Sequence, residues 1–329
     1  MREEADISQE ELERCNAIIS NLSKYYEDRI VGQKHLRLSL LVSFIANGNI
    51  LLESVPGLAK TTAAKILAKS VGGEFSRIQC TPDLLPSDII GTQIFNYATN
   101  SFETELGPIY ANFVLLDEIN RSSAKTQSAM LEAMQEHQTT IGGVIYKMPD
   151  VFIVIATQNP IEQEGTYLLS EAQLDRFLLK EKLDYPSVDE EIEILNRIEK
   201  GNMMDNKAIL EIEDISYLQQ IAKKVYIDEA IKKYIVKIIQ ATRNADKYIS
   251  KDLAQYITLG SSPRGAIAFM EASKAIALIH NRNYVTPDDV KLLRHSILRH
   301  RITLNYTAVI DNVSVENVID AIIGAIETP

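Results

Sequence analysis

The sequence predicts an α/β core built on a parallel sheet, followed by a helical second domain. Three observations carry that reading. Compact apolar runs alternate with helical patterns up to Pro186. One of these runs feeds a loop that ends in Lys60-Thr61 at the head of a helix, and another ends in Asp117-Glu118. Short continuous apolar runs suit strands buried on both faces, as in parallel sheets. Past Tyr185-Pro186 such runs give way to amphipathic patterns. The expected division is 1–186 for the core with an N-terminal helix and 187–329 for the helical domain.

The elements follow in order. Residues 8–26 carry Leu12, Cys15, Ile18, Ile19 and Leu22 at helical spacing. A short element, Ile30-Val31-Gly32-Gln33, leads into a second helix through 36–45. The apolar runs are 50–52, 75–78, 113–116 and 151–156, and the clearest intervening helix is 123–137. Two stretches read as hairpins: 91–107, and 139–148 with Gly142-Gly143 between β-branched residues. In the second domain Ser187 and Glu190 form a capping-box pattern. Helices are expected around 231–242, 263–281 and 314–327, and another opens at Thr286-Pro287-Asp288-Asp289. No strand is expected there.

Composition narrows the function classes. The chain has 329 residues, with 34 Lys+Arg against 45 Asp+Glu, a net charge of −11. Phosphate binding over a broad surface needs a positive field, so a general nucleic-acid coat is disfavoured. Cys15 and Cys80 are too few for a disulfide framework or a four-cysteine zinc site. No apolar run approaches the roughly 18 residues of a membrane helix, and the acidic N-terminus is no secretory signal. A cytoplasmic protein is expected. The cluster Arg294, His295, Arg299, His300 and Arg301 is expected to be a solvated helix end.

The chemistry concentrates at three strand ends. The segment 50–61 resembles a phosphate loop, with Lys60 and Thr61 in place, Gly57 inside the loop, and Ser54 and Ala59 at the glycine positions. Backbone N–H groups of such a loop and the following helix N-terminus face phosphate oxygens. Lys60 would reach the β- and γ-phosphates, and the Thr61 hydroxyl would bind Mg²⁺. Asp117 would hold the metal's shell and Glu118 would polarise the attacking water. At a third strand end, Thr157-Gln158-Asn159, a polar amide can orient that water.

Together these stretches resemble the AAA+ ATPases, and within them the MoxR family of the helix-2-insert clade. The resemblance covers nearly the whole chain. It rests on Ile30-Val31-Gly32-Gln33, the phosphate loop, the run Leu116 to Arg121, the run Ala156 to Phe177, and Ser261-Ser262-Pro263-Arg264. It implies a three-layer P-loop NTPase core with a parallel sheet and an all-α lid. It also implies ATP and Mg²⁺ as cofactors. Pro56, Gly57, Leu58, Ala59, Lys60, Thr61 and Thr62 would cradle the nucleotide, Ile30 and Val31 would flank adenine, and Asp117 with Thr61 would hold the metal. Glu118 would be catalytic and Asn159 the strand-end sensor. Arg176 would be an arginine finger for the neighbouring subunit, with Arg121 as rival. Arg264, opening a lid helix, would touch a nucleotide in cis or in trans.

The same resemblance implies a hexameric ring that remodels a protein client or serves metal-cofactor insertion, and a separate von Willebrand factor A domain protein as possible partner. The hairpins would move against the client. Each residue has a bland alternative: Arg176 pairing with Asp175 or Glu171, Arg264 on a lid surface, Ile30 and Val31 as ordinary core. Two other functions stay open, a nucleic-acid motor or loader, and a weakly hydrolysing scaffold suggested by Ser54.

Overall fold

In a computed structural model, residues 7–53, 60–160, 166–199 and 207–329 are described. The chain opens with α1 (Gln9–Glu27) and α2 (Lys34–Ile45). There follow β1 (Ile50–Glu53), α3 (Lys60–Lys69), β2 (Phe75–Gln79), α4 (Pro86–Ile90) and the hairpin β3 (Gly91–Asn96) and β4 (Ser101–Leu106). Next come β5 (Phe113–Asp117), α5 (Ala124–Glu136), the hairpin β6 (Gln138–Ile141) and β7 (Val144–Lys147), β8 (Ile153–Gln158), α6 (Glu171–Leu174) and β9 (Leu179–Lys182).

The second half comprises α7 (Val188–Glu199), α8 (Ile212–Lys224), α9 (Glu229–Arg243), α10 (Lys251–Ala254) and β10 (Ile257–Leu259). It continues with α11 (Pro263–Ile279), α12 (Pro287–Leu292), α13 (Arg294–Leu298), β11 (Thr303–Leu304), α14 (Tyr306–Ile310) and α15 (Val315–Ala325).

Five strands form one parallel sheet in the order β2-β5-β8-β1-β9. The registers align Leu115 with Ile155 and Ile155 with Ile50, so Glu53 and Gln158 sit level at the carboxyl edge. Side chains alternate between faces as strand geometry requires. Phe113, Leu115, Ile153 and Ile155 join a core with α1, α2 and the helices beyond β9. Val114, Leu116, Val154 and Ala156 join a second core with Met130 and Met134 of α5. Apolar side chains on both faces explain why these runs are continuous rather than alternating.

Local signals hold where they were strong. Ser8 caps α1 in a reciprocal box with Glu11. Gly142 and Gly143 take φ of +57° and +84°, as a two-residue hairpin turn demands. Two features depart from expectation. β9 completes the sheet at its edge beside β1, and β10 pairs with β11 as a short antiparallel ribbon among the later helices. Among the described residues, no helix is long and apolar enough to cross a membrane.

Candidate active site

The carboxyl edge of the sheet gathers the acidic residues. Asp117 ends β5 and is buried. Its Oδ1 accepts from Thr157 Oγ1 at 2.8 Å, and its Oδ2 accepts from Arg77 Nε and Nη2 at 3.2 and 2.6 Å. The same Thr157 hydroxyl accepts from the Glu118 backbone N–H at 2.9 Å. One β8 side chain thus fixes both acidic residues. Glu118 leaves the strand at φ +58°, a left-handed conformation that non-glycine residues adopt at a cost. Its Oε2 accepts from Gln79 Nε2 at 3.2 Å and from Arg121 Nη1 at 3.0 Å. Asn159 follows β8, buried, and its carbonyl accepts from Asn120 Nδ2 at 3.3 Å.

The strand that enters the phosphate loop is anchored at its last residue. Glu53 Oε2 accepts from Gln158 Nε2 at 2.5 Å and from Lys180 Nζ at 2.6 Å. Burial raises the Glu53 pKa, but the charge and hydrogen bond of Lys180 and the Gln158 amide outweigh it and hold the carboxyl below its ordinary value. Pro56, Gly57, Leu58 and Ala59 lie outside the described residues. Lys60 and Thr61 open α3, and their side chains are also outside them; Thr62 is exposed. Ile30 is buried and Val31 half-buried. Next to them Gly32 takes φ +69°, a left-handed conformation that L side chains rarely adopt, with the Glu190 carboxylate close by. Glycine is favoured here by that positive φ.

The donors fit the expected metal. Asp117 offers hard carboxylate oxygens, the ligand type that Mg²⁺ takes, at the end of β5; the Thr61 side chain lies outside the described residues.

The three arginines separate. Arg121 stays at the carboxyl edge, bound to Glu118. Arg176 does not pair with Asp175 or Glu171; its Nη1 donates to the Leu131 carbonyl of α5 at 2.9 Å. It lines a cavity of about 470 Å³ with Asn47, Gly48, Asn49, Gln135 and Arg264. Asn47 to Asn49 lead into β1, whereas Glu53 ends it level with the carboxylates. Four residues at about 3.3 Å each place this cavity roughly 13 Å below the level of Glu118. Arg264, in the first turn of α11, donates to Gln135 Oε1 at 3.1 Å on the same side.

Several contributors escaped the sequence reading. Arg77 and Gln79 sit two apart on β2, hence on one face, and both reach the acidic pair. That alternation, next to the central strand, was the available signal. The basic cluster is a correction: His300 and Arg301 are buried at the joint between the sheet domain and the later helices, not solvated. His300 Nε2 lies 3.1 Å from the Phe177 carbonyl, and Arg301 pairs with Asp175 at 2.9 Å.

A parallel sheet ordered 2-5-8-1-9, a helix opening on Lys-Thr and a strand ending in a buried Asp and a half-buried Glu define a P-loop NTPase with a C-terminal lid. Comparison with known proteins bears this out. Residues 49–179 match the model of the ATPase family associated with various cellular activities, and residues 249–322 match the AAA lid domain. Chaperone MoxR1 of Mycobacterium tuberculosis is 46% identical over 91% of this chain and 79% of its own. Protein YeaC of Bacillus subtilis is 45% identical over 91% of each. A crystal structure of a Cytophaga hutchinsonii protein superposes with a TM-score of 0.90 at 42% identity, over 98% of both chains. The chain belongs to the MoxR family of AAA+ ATPases.

Proposed function

We propose that this protein hydrolyses ATP in sites shared between neighbouring copies of a ring, hexameric by family resemblance, and uses the cycle to remodel a protein client. The observation that supports a shared site most strongly is the position of Arg176. It lies on the amino-edge side of the sheet, bound to α5 and away from Glu118 of its own chain. A cationic side chain there serves catalysis only by meeting the γ-phosphate of another copy. Arg264, on the same side, is placed to act with it.

Within one chain the described contacts and the family resemblance support the following division of labour. Residues 54–59 and the start of α3 bind the phosphates, with Lys60 as the charge partner. Asp117 and Thr61 would hold Mg²⁺, which when bound would neutralise charge on the phosphates. Thr157 orients Asp117 through its hydroxyl and holds the Glu118 backbone. Glu118 then takes the proton of the attacking water, and Asn159 orients that water. For this to happen Glu118 must leave Gln79 and Arg121, so the observed hydrogen bonds describe a resting carboxylate. Ile30 and Val31 would flank adenine under α7. The boundary at 186–187 separates the nucleotide-binding core from the lid that moves against it.

The client surface would be the two hairpins. They adjoin through the Tyr146 hydroxyl, which donates to Thr104 Oγ1 at 2.9 Å. Tyr97, Phe102 and Ile145 are exposed on them, an apolar patch suited to protein contact. A relative bears the name of a chaperone, which supports a protein client, in metal-cofactor insertion or another maturation step. A separate von Willebrand factor A domain protein remains the partner that family resemblance suggests, and the cytoplasm the expected compartment.

Phosphate release with Mg²⁺-ATP tests the reading. Glu118→Gln should bind ATP with wild-type affinity and turn over at least about a hundredfold more slowly. Turnover within twofold of wild type would remove Glu118 as the base.

A further inference from the structure

The lid holds the finger segment chiefly through one buried side chain, with His300 beside it on the Phe177 carbonyl. Arg301 follows α13, and its side chain is only 2% exposed. Its Nε donates to Asp175 Oδ1 at 2.9 Å. Its Nη2 donates to the Phe177 carbonyl at 2.6 Å and the Asp175 carbonyl at 3.5 Å. Its Nη1 donates to the Leu178 carbonyl at 3.2 Å and to the Ile297 carbonyl of α13 at 2.5 Å. The backbone on both sides of Arg176 is therefore bound by a single lid guanidinium.

Asp175 is the other half of the joint. Its Oδ2 accepts from Ser262 Oγ at 2.6 Å, and Ser262 is the N-cap of α11. Arg264 Nη1 stands 4.0 Å from the same oxygen. One carboxylate thus ties the residue before Arg176 to two separate lid elements, the start of α11 and the end of α13. Burial draws the Arg301 pKa down to about 10, with Asp175 opposing the fall. Arg301 is therefore charged at neutral pH. A buried ion pair is an expensive fastening, since apolar residues of similar volume hold a joint at least as well. What the pair adds is geometry: a planar fork that fixes four carbonyls and a carboxylate in one arrangement.

We propose that Asp175 and Arg301 are positioning residues that couple lid orientation to the placement of Arg176, so that a subunit's lid governs hydrolysis in its neighbour. The Arg176 side chain is poised for such control. Nη1 rests on the Leu131 carbonyl, while the buried Nε has no hydrogen-bond partner among the described residues. A small shift of segment 175–178 is enough to release or retract it. The inference rests on Arg176 being the trans finger.

The test uses mixed assemblies of full-length chains in Mg²⁺-ATP. Glu118→Gln chains supply a finger but no base, and Arg176→Ala chains supply a base but no finger. Turnover of the mixture above either variant alone reports finger action. Asp175→Asn or Arg301→Lys is then placed in one chain or the other. The coupling role predicts about a tenfold loss of rescued turnover when the change is in the Glu118→Gln chain. It predicts a change within twofold when it is in the Arg176→Ala chain, with KM for ATP unmoved. Equal loss in both placements marks a merely structural joint and overturns the proposal, as does no loss in either. Absence of rescue in the parent mixture would instead refute the finger reading itself. Melting temperatures of both variants identify a folding defect, which lowers turnover from either placement.

Discussion

Arg77 lies across Asp117, donating to one carboxylate oxygen through both Nε and Nη2, at 3.2 and 2.6 Å. The guanidinium occupies lone pairs that a metal ion needs and adds positive charge beside them. Arg77 comes from β2, the neighbour of β5, and is half exposed, so it can swing away without disturbing the sheet.

Arg77→Gln should therefore lower the Mg²⁺ concentration for half-maximal ATPase by about threefold to fivefold, the scale of a partly exposed ion pair. A Mg²⁺ titration at saturating ATP checks it. An unchanged or higher requirement would show that Arg77 and the metal do not compete.

Lys60→Ala should abolish nucleotide binding if, as proposed, Lys60 supplies the charge that meets the β- and γ-phosphates. Titration with a fluorescent ATP analogue measures it. A loss of at least about a hundredfold in affinity is expected; wild-type affinity would refute the phosphate-loop assignment.

The joint between core and lid should respond to pH. Burial, then the positive charge of Arg301, holds the His300 pKa well below its ordinary value of 6.5, against the hydrogen bond to Phe177. The folded protein thus keeps His300 neutral, while the unfolded chain protonates it below 6.5. This contribution to stability is complete above about pH 6.5 and is lost as pH falls, by up to about 1.4 kcal/mol per pH unit. His300→Gln, which cannot titrate, should show a shallower fall of melting temperature between pH 7.5 and 5.5 than wild type. Identical slopes would remove His300 as the source.

Much of this was legible because it is local. The strands of 50–53, 113–117 and 153–158 are largely continuous apolar runs; Asp117-Glu118 sits at the end of one, and Lys60-Thr61 opens the helix that follows another. The Ser187–Glu190 cap and the Gly142-Gly143 turn are equally local. The features missed depend on partners far along the chain. β9, with sequence Leu-Lys-Glu-Lys, reads as polar, yet Glu181 is buried between Ser39 and Ser296, and Lys180 pairs with Glu53. Arg301 looked like part of a solvated helix end because its partner Asp175 lies 126 positions earlier. β10 and β11 have three and two residues, too short for a periodic signal.

The sharing of active sites between copies is the central claim, and its most direct test is specific ATPase activity against protein concentration. Wild type and Arg176→Ala are measured side by side with Mg²⁺-ATP. Wild-type specific activity should rise with concentration as copies associate, and Arg176→Ala should fall by about 10³-fold or more at every concentration. Flat wild-type activity together with an unaffected mutant would contradict the claim, and would mark each chain as a self-contained nucleotide-binding switch.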